Sequence, residues 1–225
     1  MTKVFIHQPD FAPWINFFYR INFSDIYVVL DDVQFNRRGW FNRDYIKTAS
    51  GKEIITIPVI KKDRLSTLVN QIEISYEHRW IDKLLKSLEL NYKKSINFES
   101  SFIFFENLFK ERKKYLISLN LKIIYFVLKN LDIKKKIIFS SDLKLNQQKA
   151  DKILEICKQL KASEYITGEG SKEYLDYNKF HKQNIKIRDN LSFKKKYKQQ
   201  HGEFIPNLSI IDFLFNVNNF EKKYF

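Results

Sequence analysis

Apolar residues fall into two alternating rhythms along this chain. Lys3-Val4-Phe5-Ile6 is a short apolar run closed by His7-Gln8-Pro9-Asp10, which reads as a buried strand and its exit loop. Pro13 follows Phe11-Ala12 and suits the first turn of a helix reaching about Phe23, where a missing N–H costs nothing. Ile26-Tyr27-Val28-Val29-Leu30 is a second continuous apolar run that stops at Asp31-Asp32, as expected of a strand covered on both faces. Strand, helix and strand within about 30 residues make one βαβ unit.

The pattern then loosens. Val33 to Lys52 is irregular and rich in aromatic and polar residues. Ile54 to Val59 predicts a strand, and Gln71 to Ile74 a short edge strand. Trp80, Ile81, Leu84, Leu85 and Leu88 mark one face of a helix over Trp80 to Lys94. Another helix is expected over Ile103 to Leu119, with Lys110 to Lys114 on its solvated face. The strand rhythm returns at Ile137-Ile138-Phe139 ahead of Ser140-Ser141-Asp142. An amphipathic helix over Gln147 to Leu160 follows, then strand-like Glu164 to Thr167 before Gly168-Glu169-Gly170-Ser171, then Ile185-Lys186-Ile187. Leu208 to Asn216 predicts a terminal helix. The alternation predicts an α/β, Rossmann-like fold with a mostly parallel sheet flanked by helices. Residues 1–225 are expected to form a single domain, with a helical insertion or cap at about 76–130.

Composition narrows the class. Hydrophobic residues make up 44% of the 225 positions, a globular proportion. The 4 prolines and 5 glycines argue against long linkers and turn-built repeats. No run of apolar residues is long enough to predict a membrane span, and the N-terminus lacks the pattern of a signal peptide; a cytoplasmic location is expected. Cys157 is the only cysteine, which excludes an internal disulfide and a cysteine metal cluster. No His, Cys, Asp or Glu residues have zinc-ligand spacing, so no metal site is assigned.

The formal charge of +14 would suit nucleic acid, anionic lipid or a phosphorylated ligand. Most of it is lysine in a chain dense in Asn, Ile, Phe and Tyr, a bias that an AT-rich genome also produces. Arginine is more informative. There are eight, and Arg37, Arg38 and Arg43 share one short segment; a planar guanidinium suits phosphate or carboxylate as lysine does not.

If the sheet is parallel, the ends at His7-Gln8, at Asp31-Asp32-Val33-Gln34, at Ser140-Ser141-Asp142 and at Gly168 to Ser171 share one edge, where ligands of such sheets bind. His7 suits acid–base work or a phosphate contact, or simply a bond to a nearby carbonyl. Asp31 and Asp32 suit metal binding, a sugar hydroxyl or a general base, or only a turn; alternation places them on opposite faces, against a carboxylate dyad. Gln34 to Arg43, with Arg38, Trp40, Asn42 and Arg43, combines cations, amides and aromatics that grip phosphate and stack on rings, whether of a sugar, a base or single-stranded nucleic acid. Gly168 to Ser171 reads as a tight turn whose amides approach an anion. Asn190 to Phe204, with Lys194-Lys195-Lys196, reads as a mobile basic loop.

Ile6-His7-Gln8-Pro9, Pro13-Trp14, Asp31-Asp32-Val33-Gln34-Phe35, Arg38-Gly39-Trp40, Asn42-Arg43, Ile57-Pro58-Val59, Tyr174-Leu175 and Leu208-Ser209-Ile210-Ile211-Asp212, in this order, resemble the WbqC-like protein family. That resemblance implies a role in bacterial surface-polysaccharide, particularly O-antigen, assembly. The activity it suggests is attachment of an amino-acyl group such as glycyl, or another acyl group, to the amine of a nucleotide-activated amino sugar. An amino-acid or acyl donor activated with ATP and Mg²⁺, or tRNA as an amino-acyl source, would complete the reaction. On this reading His7, Asp31, Asp32 and Arg43 are catalytic. Gln8, Trp14, Gln34, Arg38, Trp40, Asn42, Gly168, Ser171, Tyr174 and Asp212 contact substrate. A glycosyltransferase of the same pathway and an RNA- or tRNA-binding module are the competing readings.

Overall fold

The computed structural model describes residues 1–60 and 67–218. Its strands are β1 (Thr2–His7), β2 (Ile26–Val29), β3 (Arg43–Thr48), β4 (Gly51–Thr56), β5 (Lys136–Phe139), β6 (Ala162–Ile166) and β7 (Lys186–Arg188). Its helices are α1 (Ile15–Phe23), α2 (Trp80–Tyr92), α3 (Phe98–Lys110), α4 (Leu116–Asn130), α5 (Lys149–Gln159), α6 (Tyr177–Lys182) and α7 (Ile210–Asn216). They divide between two compact units. None of the described helices is long and apolar enough to cross a membrane.

The first unit comprises Met1–Gln8, Asn16–Val33 and Ile133–Phe193. Its sheet has the order β5-β2-β1-β6-β7, and every pairing is parallel. Among the sheet's own strands this is third, second, first, fourth, fifth, a Rossmann-like order. Period-two alternation in β1 decides what each face receives. Val4 and Ile6 pack with Ile153, Ile156 and Cys157 of α5 and Phe180 of α6. Phe5 and His7 point the other way, where both rings meet Phe17 of α1. Both faces are thus covered, which explains the unbroken apolar run of β2.

The second unit comprises Pro9–Ile15, Gln34–Asp132 and the chain from Lys194 onward. It holds the antiparallel hairpin β3–β4 and α2, α3, α4 and α7. Tyr92 and Phe215 stack at 4.8 Å between ring centroids, and Trp80 meets Phe109 edge-on at 5.6 Å.

Three expectations are corrected here. The helix expected over Ile103 to Leu119 is two helices, parted where Arg112 takes the left-handed φ of 48°. The irregular stretch before Lys52 contains β3, which closes on β4 through Gly51 at φ 109°. The edge strand expected at Gln71 to Ile74 is a 3-10 turn over Val69–Gln71 followed by single bridges, Glu73 to Tyr115 and Ile74 to Val59.

Candidate functional site

Parallel pairing sets the ends of β5, β2, β1 and β6 on one edge of the first unit. At the β2 and β5 ends, Asp31 and Asp32 meet two serines. The Asp31 carboxylate accepts from the Ser141 amide at 3.0 Å, the Ser141 hydroxyl at 2.8 Å and the Ser140 hydroxyl at 3.1 Å. The same Ser140 hydroxyl contacts Asp32, whose other oxygen pairs with Lys152 Nζ of α5 at 2.6 Å. The expectation that the two aspartates face apart is therefore wrong. β2 ends at Val29, so strand alternation no longer governs the next residues, and both carboxylates turn to one hydroxyl. That hydroxyl has a single proton to share between them.

This arrangement does not fit a magnesium ion. A hard cation needs open carboxylate lone pairs and room for water. Here one carboxylate is filled by serine donors and the other holds a buried ammonium, with the Lys152 side chain only 6% exposed. Among the described residues no group of three or more His, Cys, Asp or Glu side chains is placed to hold a metal.

The connections leave β1 in opposite directions, to β2 on one side and, from β5, to β6 on the other. The β1 and β6 ends therefore border the switch point at which open α/β sheets receive ligands. His7 lies there, half-buried, stacked on Phe5 at 5.7 Å. Its Nδ1 lies 2.8 Å from the Gln8 carbonyl. A carbonyl can only accept, so Nδ1 is the donating nitrogen of that contact. Across the switch point, β6 runs into Thr167 and Gly168. A methyl group at Gly168 would stand 3.1 Å from Nη1 and 3.4 Å from Cζ of Arg20. Glycine here admits the guanidinium of α1 against the backbone. Arg20 is buried, and its Nε donates to the Leu191 carbonyl at 3.3 Å. Sequence reading missed Arg20 and Lys152, because each looks like an ordinary helix cation until the sheet order is known.

The turn after Gly168 is tighter than expected. The Ser171 amide donates to the Gly168 carbonyl at 3.0 Å and Ser171 is buried, so that N–H is not presented to an anion. Tyr174 stands exposed at its end.

The remaining residues singled out in the sequence belong to the second unit. Arg38 and Gln34 are exposed, and the Arg38 amide donates to Asn36 Oδ1 at 3.0 Å. Trp40 is also exposed and tilts against Tyr45 at 5.6 Å. Arg43 folds back, Nε donating to the Gly39 carbonyl at 3.2 Å. Trp14 is half-buried. Asn42 is buried; it gives its amide to the Ile57 carbonyl at 3.0 Å, and Ile57 N–H returns a bond to Asn42.

Asp212 is also interior, at 0% exposure. Its two oxygens accept from Tyr92 at 3.0 Å and Tyr197 at 2.8 Å. Burial raises its pKa against the lowering effect of those bonds. Burial likewise holds both phenols well above their ordinary value, so they remain donors. Lys47, 1% exposed, donates to Gln199 Oε1 at 3.2 Å and to the carbonyls of Gly202 and Glu203. The segment read as a mobile loop is thus pinned from Tyr197 to Ile205, where Gln199 also exchanges bonds with Ile205.

Together these features define a Rossmann-like α/β protein with a histidine and a buried guanidinium at the switch point of its sheet. The chain belongs to the WbqC-like protein family, whose profile matches residues 8–224. It is 31% identical over 219 residues to uncharacterized protein Rv1507c of Mycobacterium tuberculosis, covering 96% of this chain and 94% of that protein. No solved structure matches the chain.

Proposed function

We propose that this protein is a cytoplasmic enzyme of bacterial surface-polysaccharide assembly that attaches an amino-acyl or acyl group to the amine of a nucleotide-activated amino sugar. The observation that carries the proposal is the switch point: His7 ends β1, and Gly168 at the end of β6 gives up its side chain to admit Arg20. A guanidinium at that edge suits the phosphates of an activated sugar.

In the reaction, the sugar amine attacks the carbonyl of an acyl donor activated as an ester or mixed anhydride. The new C–N bond forms, the donor's C–O bond breaks with its electron pair, and the amine's surplus proton passes to Nε2 of His7. The Gln8 carbonyl then holds the resulting imidazolium through Nδ1. Asp31 and Asp32 carry no metal in this scheme; with Ser140, Ser141 and Lys152 they fix the neighbouring strand ends. The metal-dependent glycosyltransferase reading weakens for the same reason. Arg38 and Trp40 are exposed, with Arg37 and Gln34 of the same segment, and suit a ligand contact on their own unit.

The test incubates the protein with UDP- and dTDP-linked amino sugars, glycine and ATP, with product followed by mass spectrometry. An added glycyl or acyl mass, lost in His7→Ala while the protein stays folded, is the expected result. Product formation undiminished by His7→Ala and Arg20→Lys removes these residues from the reaction, and no acylated sugar from any donor and acceptor tried overturns the activity.

A further inference from the structure

We infer that the C-terminal end of α2 is a seat for an anionic membrane surface, a property independent of the chemistry proposed above. Leu90 and Ile96 are 79% and 69% exposed, more than any other large hydrophobic residue past Met1 among those described. Single exposed aliphatic residues are ordinary, but these two are built into place. Ile96 stands between two anchored neighbours: the Ser95 hydroxyl bonds Asn216 at 3.2 Å, and the Asn97 amide bonds the Phe215 carbonyl at 3.0 Å. Next to Leu90, the buried Asn91 ties its side chain to the Ser87 carbonyl at 2.8 Å and receives His201 on its own carbonyl at 3.0 Å. The side chains are therefore displayed by a held backbone and not by a fraying helix end.

The surface around Leu90 is cationic, and Ile96 follows Lys93 and Lys94 two residues on. Lys86, Lys93 and Lys94 line the shallow depression that Leu90 shares with His201, and all three lysines are exposed. The one carboxylate there, Glu89, lies 3.4 Å from Lys93, which leaves a surplus of positive charge. Aliphatic tips that project among lysines match an interface in which lipid phosphates lie above acyl chains. A nucleic-acid groove asks instead for aromatic platforms, and neither Leu90 nor Ile96 can stack on a base.

The test co-sediments the full-length protein with phosphatidylcholine vesicles, with and without an equal share of phosphatidylglycerol, at low and high salt. The protein is expected to pellet with the anionic vesicles at low salt and to be released by salt. Replacing Lys86, Lys93 and Lys94 by Gln lowers the partition coefficient by roughly fivefold per lysine. Leu90→Ser with Ile96→Ser lowers it by about tenfold or more. These exposed positions leave thermal unfolding unchanged, which separates lost binding from lost folding. Failure to pellet overturns the inference, as does pelleting that survives both sets of substitutions. Displacement by single-stranded RNA with no effect of the Leu90 and Ile96 changes assigns the surface to nucleic acid. Self-association abolished by those changes, without vesicle binding, assigns it to a second copy of the chain; either result refutes the membrane seat.

Discussion

Asp44 makes the stability of the second unit depend on pH. It lies in β3 at 6% exposure, where its carboxyl accepts the Tyr45 amide at 2.7 Å. Burial drives its pKa from the ordinary 3.8 up to about 8, with the buried Asp10 adding to the rise and the Tyr45 amide opposing it. The folded value exceeds the unfolded one, so the folded protein holds the proton more tightly. Its contribution is complete below the unfolded value and is lost as pH climbs toward the folded one. Within that window the loss is about 1.4 kcal/mol per pH unit, with an upper bound of roughly 6 kcal/mol across it. Urea unfolding followed between about pH 5 and about pH 8 should show wild type losing roughly 3 kcal/mol more than Asp44→Asn, which keeps the acceptor without the ionisation. The difference between the two proteins isolates Asp44 from Asp212, whose raised value acts in the same direction. Equal slopes in both would refute a buried, protonated Asp44.

Four further outcomes follow from the contacts. Gly168→Ala pushes a methyl group to 3.1 Å from Arg20; sugar-nucleotide affinity, read by calorimetry, should fall several-fold while the melting temperature moves little. Lys152→Met strands the Asp32 carboxylate and should cost roughly 3 kcal/mol in denaturant unfolding, and adding Asp32→Asn should restore part of it. Lys47→Met removes the donor that holds the Gly202 and Glu203 carbonyls; trypsin should then cut after Lys194, Lys195, Lys196 or Lys198 under conditions that leave wild type intact. Lys161, at φ 51° just past α5, should gain about 0.5–1 kcal/mol of stability as Lys161→Gly in thermal unfolding.

The sheet was legible because its strands are buried on both faces and announce themselves as apolar runs ending in polar residues. β1, β2, β5, β6 and β7 lie where those runs are, within a residue or two. The second unit was harder to read, for a definite reason. Much of its punctuation does not fall on glycine: left-handed turns sit on Arg112, Asp132, His201 and Asn207 as well as on Gly51 and Gly202, and the first four carry little such signal in sequence. β3 hid because its inward positions include Asp44 and Lys47, both buried, so its alternation is not one of hydrophobicity. The candidate site was half visible. His7 and the aspartates stood out at strand ends, but nothing in a single sequence pairs Lys152 with Asp32, or sets Arg20 against Gly168, since each pair is joined only by the strand order.

The two units are interleaved along the chain, which passes between them after residues 8, 15, 33, 132 and 193. No contiguous stretch of the gene encodes either one. During synthesis β1 and β2 emerge early and must wait for about a hundred intervening residues before β5 can add to them, and until then one side of β2 is an unpaired edge. The first unit should therefore complete its sheet only after β5 emerges, and until then lean on chaperones that shield strand edges. In a nascent chain stalled before β5 the strands β1 and β2 should be open to protease, and in one stalled after β7 they should resist it.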